Sequence, residues 1–357
     1  MRFVFREPRE MPIKFAGELE DLMIRTLGAT GVVPPIAERV ARHLVGSNLV
    51  GVDSHGLIQF PGYLEFLKQG KIATDNRIEI IRDQGAIALL DGHLTFGMVV
   101  VDRAIEIGVN KAREFGAGVV SARNSAHIGR LGEYVEDISR QSLIGFICNS
   151  AQGMGQGVAP WGGREIRLST NPLAWGIPSE REPIILDMST STVSGGKIQL
   201  KLHGGEELPT GWAIDEAGKP VTDPADFHNP VLGAMLLAAG YKGYGLALVV
   251  EALAGALSGG GCVRPEAPLE GSGFDFTLLA IDVAAFCPIS DFKKVVDNFV
   301  TYVKTATPLD PAEEVRVPGE LRTIERQRRL TEGIYIEDET WNRLVEAARS
   351  VGVKWSQ

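Results

Sequence analysis

The sequence predicts an α/β protein whose central region of strands and helices is flanked by all-helical ends. Apolar residues recur at helical spacing through the first seventy residues, and strand and helix patterns alternate from about residue 78 to residue 148. Three further helical stretches occupy the end of the chain. Because 357 residues exceed the usual size of one hydrophobic core, two or three packed subdomains are expected.

Three amphipathic helices are predicted near the start of the chain, over residues 16–28, from Pro34 to about Val50, and over residues 60–69. The turn between the second and the third carries Asp53-Ser54-His55-Gly56. This turn places several polar groups between two apolar helices, which makes it a candidate site segment.

The central region combines strands with helices at about 98–115, from Asn124-Ser125 to about Gln141, and at 245–257, where a core helix is expected. Three helices are predicted after it, at about 291–305, 320–331 and 338–351. The predicted strands cover residues 78–81, 86–90, 118–121, 143–148, 173–177, 184–186, 197–202 and 274–282.

Composition narrows the class of protein. The net charge of −9 and the scattered Lys and Arg residues argue against a nucleic-acid partner. Cys148, Cys262 and Cys287 lack C-x-x-C spacing, which is typical of reduced thiols. There is no signal-peptide pattern, and the most apolar helical stretch is shorter than the ~20 residues that a bilayer requires. We expect a cytoplasmic protein with no membrane partner and, since no metal-ligand spacing occurs, no metal.

The usual dinucleotide fingerprint is missing. Gly153-Met154-Gly155-Gln156-Gly157 departs from G-x-G-x-x-G, and Pro160 soon after it prevents a helix from starting there. A better anion site is the stretch from Asn124 to Arg130, where a strand ends and a helix N-terminus presents free N–H groups and a positive dipole. A simple helix cap explains the same residues and is the commoner case.

Two of the six histidines, His55 and His127, lie in loops crowded with polar groups. Histidine is the side chain whose pKa lies closest to cellular pH, so these two are candidates for proton transfer. The Ser54 hydroxyl adjoins His55 and could relay a proton. A structural turn whose polar residues only cap helices is the alternative.

Two further segments suit ligand contacts. At residues 184–191 a buried strand ends in Asp187 and a run of hydroxyl side chains, which can bond a ribose or an amide. At residues 241–245, Lys242 precedes the core helix, where it and the free N–H groups suit a phosphate. A solvated turn and a lone surface lysine are the respective alternatives.

Six motifs in this order resemble those of the malate/L-lactate dehydrogenase family, which is distinct from the Rossmann-fold lactate and malate dehydrogenases. They are VDSHG (52–56), NSxHxG (124–129), STNP (169–172), DMST (187–190), GWAxDxxGxPxTDP (211–224) and KGYGLAL (242–248). The resemblance spans nearly the whole chain, and it favours the functional interpretation of these segments over the structural one.

The resemblance implies hydride transfer between NAD or NADP and a small 2-oxo or 2-hydroxy acid. The family also includes oxidoreductases for ureidoglycolate, sulfolactate, 2,3-diketogulonate and Δ1-piperideine-2-carboxylate. It implies a non-Rossmann, mixed-sheet NAD(P)-binding domain, a helical domain assembled from both chain termini, and a homodimer. The helical domain would combine residues 1–75 with the C-terminal helices at 291–357, and residues 76–290 would form the α/β catalytic and cofactor-binding region.

The same resemblance assigns roles to residues. His55 would donate the proton to the nascent alkoxide, with Ser54 linking it to a relay and His127 as the second candidate acid or base. Gln59 and Thr170 would contact the substrate. The residues expected to line the cofactor are Gly129, Arg130, Ser150, Asp187, Met188, Ser189, Lys242, Gly243, Pro318, Gly319 and Glu320.

Two positions depart from the family pattern. The family usually has arginine four residues after the DSHG histidine, where a fork of donors grips the substrate carboxylate, and this chain has Gln59. Either Arg123, Arg130 or Lys197 compensates, or the substrate differs. Lys197 also stands where the piperideine-type reductases carry an acid of the proton relay, which argues against imine reduction.

Two other classes of function are alternatives to an oxidoreductase. A non-catalytic member that binds only cofactor or ligand is supported by Gln59 alone. A hydrolase with Ser54 as nucleophile lacks the G-x-S-x-G elbow, and adjacent Ser and His side chains are not expected to align as nucleophile and base. The presence of Ser54, His55, His127 and Lys242 favours an oxidoreductase.

Overall fold

The computed structural model describes residues 13–151, 156–228, 233–264 and 273–355, so residues 153–155 of the glycine-rich stretch lie outside it. The helices are α1 Ala16–Ala29, α2 Pro34–Leu49, α3 Phe60–Lys68, α4 Gly97–Phe115, α5 Leu131–Arg140, α6 Gly195–Gly204, α7 Pro224–His228, α8 Tyr241–Val250, α9 Ile289–Lys304, α10 Glu320–Glu332 and α11 Asp338–Ser350. The strands are β1 Ile13–Lys14, β2 Glu79–Gln84, β3 Ile87–Asp91, β4 Ala117–Ser125, β5 Leu143–Ala151, β6 Gln156–Val158, β7 Leu168–Ser169, β8 Leu173–Ile177, β9 Ile184–Met188, β10 Ala213–Ile214, β11 Ala234–Met235, β12 Phe274–Asp282 and β13 Ile334–Tyr335.

A seven-stranded sheet forms the centre of the fold. Its strand order is β2-β3-β4-β12-β5-β8-β9. The neighbours β3 and β4 are parallel and are joined through α4, whereas the other neighbouring pairs are antiparallel. The predicted α/β class with a mixed sheet is therefore confirmed.

Helices α4 and α5 cover one face of this sheet. Tyr134 of α5 and Leu278 of β12 are fully buried in the core between them. Successive residues of a strand face opposite sides, so Ile147 joins this core whereas Cys148 packs near Ala254, in a π-helical turn that continues α8 over Glu251–Ala256. Both faces of the sheet are thus covered.

Helices from the two ends of the chain share a second core. Leu22 of α1 and Leu44 of α2 are fully buried together with Leu344 of α11. Strands β1 and β13 pair as well, with Ile13 opposite Tyr335. Helices α9 and α10 bury none of their residues, so they lie on the outside of the molecule.

The strand predicted at 197–202 is wrong, because this segment belongs to α6. The segment alternates apolar and polar residues, which is a strand pattern. The Ser194 side chain, however, accepts a hydrogen bond from the backbone N–H of Lys197 and starts a helix. Ile198 is the one buried residue of that helix, so the other apolar side chains did not need to face a core.

The core helix predicted at 245–257 is a helix, but its burial was predicted wrongly. Within α8 only Gly243, Ala247 and Val250 are buried. The large apolar side chains that α8 and the turn after it leave exposed are Tyr241, Leu246, Leu248, Val249 and Leu257. No described helix is long and apolar enough to cross a membrane.

Candidate active site

A cavity of about 720 Å³ lies where three of the predicted site segments meet. It is lined by His55, by Gly129 and Arg130 from the loop after β4, and by Asp187 of β9. Four antiparallel pairings separate β4 from β9, so the two strands run in the same direction and end at the same edge of the sheet. The topology therefore brings distant motifs together.

His55 ends a 3-10 turn, Asp53–His55, that is anchored from two sides. Arg329 donates to the Asp53 carboxylate at 2.6 and 3.1 Å, and Asn48 Nδ2 donates to it at 2.5 Å. The Ser54 hydroxyl lies 3.0 Å from His55 Nδ1, which leaves Nε2 as the other nitrogen able to meet a ligand. Burial lowers the pKa of His55 to about 4, so the ring is neutral at pH 7.

His127 lies beside His55, with ring centroids 6.1 Å apart in a stacked arrangement. The Tyr63 hydroxyl is 2.6 Å from His127 Nδ1. Burial raises the pKa of Tyr63, so its hydroxyl stays protonated and shares this hydrogen bond with the neutral His127 ring. Burial, and secondarily the charge of His55, lowers the pKa of His127 to about 3. Tyr63 was not predicted as a site residue.

The loop between β4 and α5 is built around a buried histidine. The helix predicted directly after Asn124-Ser125 begins later, at Leu131, because β4 continues through Ser125. Gly129 has φ +70°, and a side chain there would overlap the ring of His43. The backbone N–H of Arg130 donates to His43 Nε2 at 2.9 Å, so this loop needs both the glycine and the histidine.

Asp187 is held by two donors of different origin. The backbone N–H of Gly132, in the first turn of α5, donates to its Oδ2 at 2.9 Å, and Arg322 Nη1 donates to the same oxygen at 2.9 Å. Met188 and Ser189 follow on the cavity wall. Arg322 lies 135 residues beyond Asp187, and no sequence motif pointed to it.

Only some of the residues expected to contact the substrate line the His55 cavity. Thr170 lines the cavity. Gln59 does not, since its Nε2 donates to the backbone oxygen of Ser54 at 2.8 Å. Lys197 lines the cavity, is exposed, and has no ion pair among the residues that the structure describes. Arg123 is outside the cavity and pairs with Asp91 at 3.0 Å.

The structure does not bring the whole predicted cofactor set into this cavity. Ser150 is fully buried and donates to Glu251 at 2.8 Å. Lys242 is exposed, and Gly243 is buried where a side chain would overlap the backbone oxygen of Thr190. The residues of the Pro-Gly-Glu segment instead line a neighbouring cavity of about 570 Å³, namely Pro318, Gly319 and Glu320.

A third cavity, of about 630 Å³, lies between the His55 cavity and the cavity at the Pro-Gly-Glu segment. It shares Val50, Arg130 and Arg322 with the His55 cavity and shares Gly319 with the cavity at the Pro-Gly-Glu segment. One cleft thus continues from His55 under α10 to Gly319, which suits a long ligand.

The geometry also tests two other kinds of site, a serine hydrolase site and a metal site. Ser54 and His55 do align within hydrogen-bonding distance, contrary to the sequence expectation, but Ser54 is 2 % exposed and Gly196 of α6 packs against it. A buried hydroxyl is poorly placed to attack a substrate. Within the described ranges, no group of three or more His, Cys, Asp or Glu side chains could hold a metal ion.

The two buried histidines predict a loss of stability in acid. Their pKa values, about 4 and about 3, lie below the ordinary 6.5, so between these limits the unfolded chain binds protons that the folded protein does not. We expect the full contribution of His55 and His127 to the free energy of unfolding above pH 6.5, and a progressive loss as pH falls toward 4.

Urea unfolding at about pH 7.5 and about pH 5 measures this effect, because the slope with pH reports the difference in bound protons. A His127→Asn variant is the control, since it removes one of the two groups. A variant that loses as much stability in acid as the parent protein would contradict the account.

The chain is similar to known proteins over most of its length. The family model described as malate/L-lactate dehydrogenase matches residues 15–345. A malate dehydrogenase of Pyrococcus abyssi is 35 % identical over 344 residues, covering 94 % of each chain. Hydroxycarboxylate dehydrogenase B of Escherichia coli is 34 % identical over 325 residues, covering 89 % of this chain and 88 % of that protein. The solved sulfolactate dehydrogenase of Methanocaldococcus jannaschii superimposes with a TM-score of 0.85 at 33 % identity, covering 96 % of this chain and 98 % of that one.

Proposed function

The chain belongs to the malate/L-lactate dehydrogenase family, and from this premise we propose that it transfers hydride between a nicotinamide cofactor and a small 2-oxo or 2-hydroxy acid. The cofactor would be NAD or NADP. One observation carries the proposal: the neutral ring of His55 lines one end of a cleft whose other walls carry hydroxyls and cations, and the neutral ring of His127 stacks against it. These groups can transfer a proton next to a bound anion.

The residues of the cleft fit a nicotinamide cofactor. When bound, such a cofactor gives or takes a hydride at its nicotinamide ring. Ser189 and Asp187 offer a hydroxyl and a carboxylate to ribose hydroxyls. The cleft continues to Gly319, so its length suits a dinucleotide rather than the small acid alone.

We assign the proton step to His55. Because burial keeps its pKa near 4, the ring is a neutral base at pH 7 and can accept the hydroxyl proton of a 2-hydroxy acid through Nε2. In the reverse direction the protonated ring returns that proton to the alkoxide oxygen. Ser54 holds Nδ1 and so orients the ring. His127 is the second candidate for this step.

We propose that Lys197 holds the substrate carboxylate. Gln59 and Arg123 are both engaged elsewhere and lie outside the cavity, whereas the Lys197 ammonium lines it without an ion pair in the described part of the chain. Thr170 lines the same cavity and would contact the substrate. Lys197 also replaces the acid that the piperideine-type reductases carry in their proton relay, which argues against imine reduction by this chain.

We further propose that the protein is a homodimer. The exposed apolar side chains of α8 and the turn after it, among them Val249 at 53 % and Leu257 at 56 % exposure, would be shielded from water by a second copy. Static light scattering on a sizing column tests this. A mass of one 38.5 kDa chain would contradict it, and about twice that mass is expected.

The activity itself is tested by following the oxidation of NADH and of NADPH with pyruvate, oxaloacetate, sulfopyruvate, 2,3-diketogulonate and piperideine carboxylate. The proposal predicts turnover with at least one 2-oxo acid and saturation in cofactor and acid. Binding of NADH without turnover of any acid would instead support the non-catalytic alternative.

A further inference from the structure

Glu251 carries a buried carboxylate that no step of the proposed reaction uses. The residue is 6 % exposed and begins the π-helical turn that continues α8. Burying a carboxylate is costly unless hydrogen-bond donors replace the lost water. Its Oε1 accepts from Ser150 Oγ and from Asn171 Nδ2, both at 2.8 Å, and its Oε2 accepts from the backbone N–H of Val263 at 2.9 Å. Both oxygens are therefore fixed by residues that lie far apart in the sequence.

Asn171 is the partner that connects Glu251 to the active site. Its backbone has φ +38°, a left-handed conformation that asparagine adopts more readily than most residues. Its side chain is fully buried, and Nδ2 donates to the backbone oxygen of Ala247 at 3.0 Å as well as to Glu251. Its Oδ1 accepts from the Ser169 hydroxyl. A residue in a sparsely populated conformation persists where its surroundings hold it, so Glu251 helps to hold this turn.

Thr170 directly precedes Asn171 and lines the His55 cavity. The backbone oxygen of Thr170 accepts from the N–H of Thr190 at 2.9 Å and from Thr190 Oγ1 at 3.0 Å. The main chain around Thr170 is thus held by Thr190 on one side and by the bonds of Asn171 on the other. The position of Thr170 in the cavity wall depends on both sides, and the second side ends at Glu251.

We propose that Glu251 is a positioning residue for substrate binding, which acts through Asn171 to set the place of Thr170 in the cavity. This inference rests on the proposed function, in which Thr170 contacts the small acid. Glu251 itself is not among the residues that line the cavity. An interaction that is equal in the ground state and the transition state changes KM and leaves kcat unchanged, so the defect of a Glu251 variant should be in KM for the acid.

The first test compares Glu251→Ala with Glu251→Gln. Alanine removes the acceptor of Asn171, so KM for the preferred 2-oxo acid should rise roughly 10-fold, as expected for the loss of one hydrogen bond. Glutamine keeps an Oε1 acceptor and replaces only the oxygen that bonds Val263, so it should restore most of the KM while it still lowers stability in urea. A residue with a merely structural role would give no such separation.

Cofactor binding is measured on the same samples by titration calorimetry with ADP-ribose, which carries the diphosphate of the cofactor but no nicotinamide. Both Glu251 variants should bind ADP-ribose with the parent affinity. Ser258→Ala is the control for lost packing, because Ser258 is fully buried just after the π-helical turn and donates to the backbone oxygen of Gly255 at 2.9 Å. This variant should lose stability in urea and keep the parent KM.

The second test asks whether Glu251 acts through Thr170. Thr170→Val keeps the shape of the side chain and removes the hydroxyl, so it should raise KM by itself. The combined variant Glu251→Ala/Thr170→Val should have the KM of Thr170→Val alone, because an effect that passes through the hydroxyl cannot be lost twice. Effects on KM that multiply would show that Glu251 acts by another route.

An unchanged KM in Glu251→Ala, equal increases in Glu251→Ala and Glu251→Gln, or weakened ADP-ribose binding would overturn the assignment and leave the dehydrogenase function standing. A parent protein that turns over no 2-oxo acid would contradict both. If Glu251→Ala does not fold, Asn171→Asp replaces it. A second carboxylate facing Glu251 should raise KM, and adding Glu251→Gln should recover part of the loss, because an amide can donate to that carboxylate. Failure to recover contradicts the proposal.

Discussion

Replacing His55 by asparagine should lower kcat for reduction of the best 2-oxo acid by roughly 1,000-fold, the typical contribution of a positioned acid or base. Asparagine can keep a hydrogen bond to the Ser54 hydroxyl, which His55 makes at 3.0 Å, but it cannot carry the proton. Steady-state assays give kcat, and ADP-ribose calorimetry on the same sample should give the parent affinity.

The matched control is His127→Asn, which changes the other ring of the stacked pair. We expect a smaller loss of kcat in this variant, because His127 is held by Tyr63 and supports the site beside His55. The reverse ranking, with full loss in His127→Asn and activity retained in His55→Asn, would transfer the proton step to His127 and refute the assignment.

Replacing Gly129 by alanine should lower the free energy of unfolding by about 3 kcal/mol. A left-handed backbone costs about 1 to 2 kcal/mol for a residue with a side chain, and forcing a methyl group into a packed core adds about 1 to 3 kcal/mol. Here the added methyl would overlap the fully buried ring of His43, to which Arg130 is bonded. Urea unfolding measures the change, and ADP-ribose binding should weaken with it.

Gly70 offers a close control. Its φ of +69° nearly equals the +70° of Gly129, but a side chain there would meet nothing within 4 Å. Gly70→Ala should therefore cost only the backbone share, about 1 kcal/mol. Equal destabilisation by the two substitutions would show that the contact between Gly129 and His43 does not matter.

Much of the sheet could be predicted because its strands carry their own signal. Residues 173–177 and 274–282 match β8 and β12, since buried strands form short runs of apolar residues bounded by turn residues. The strand predicted at 197–202 was wrong, because its alternation of apolar and polar residues is also compatible with a helix once Ser194 caps it. The burial predicted for α8 was wrong, because an apolar run does not show whether its own chain or another surface covers it.

The site was predictable as a set of segments but not as a set of contacts. The motifs around His55, His127 and Asp187 are local in sequence, and the structure brings them to one cleft. The contacts that set their properties are not local. The Tyr63 hydroxyl bonds a ring 64 residues away, and Arg322 reaches Asp187 across 135 residues, distances in sequence that no spacing rule covers.

The central claim is that hydride passes directly between the nicotinamide ring and the carbon next to a carboxylate. The most direct measurement uses NADH or NADPH carrying deuterium at both C4 positions, incubated with the protein and the preferred 2-oxo acid, with the product analysed by mass spectrometry. The account predicts one deuterium at C2 of the 2-hydroxy acid, in the parent protein and not in His55→Asn at equal times. Cofactor oxidation that yields unlabelled product, or no 2-hydroxy acid at all, would contradict it.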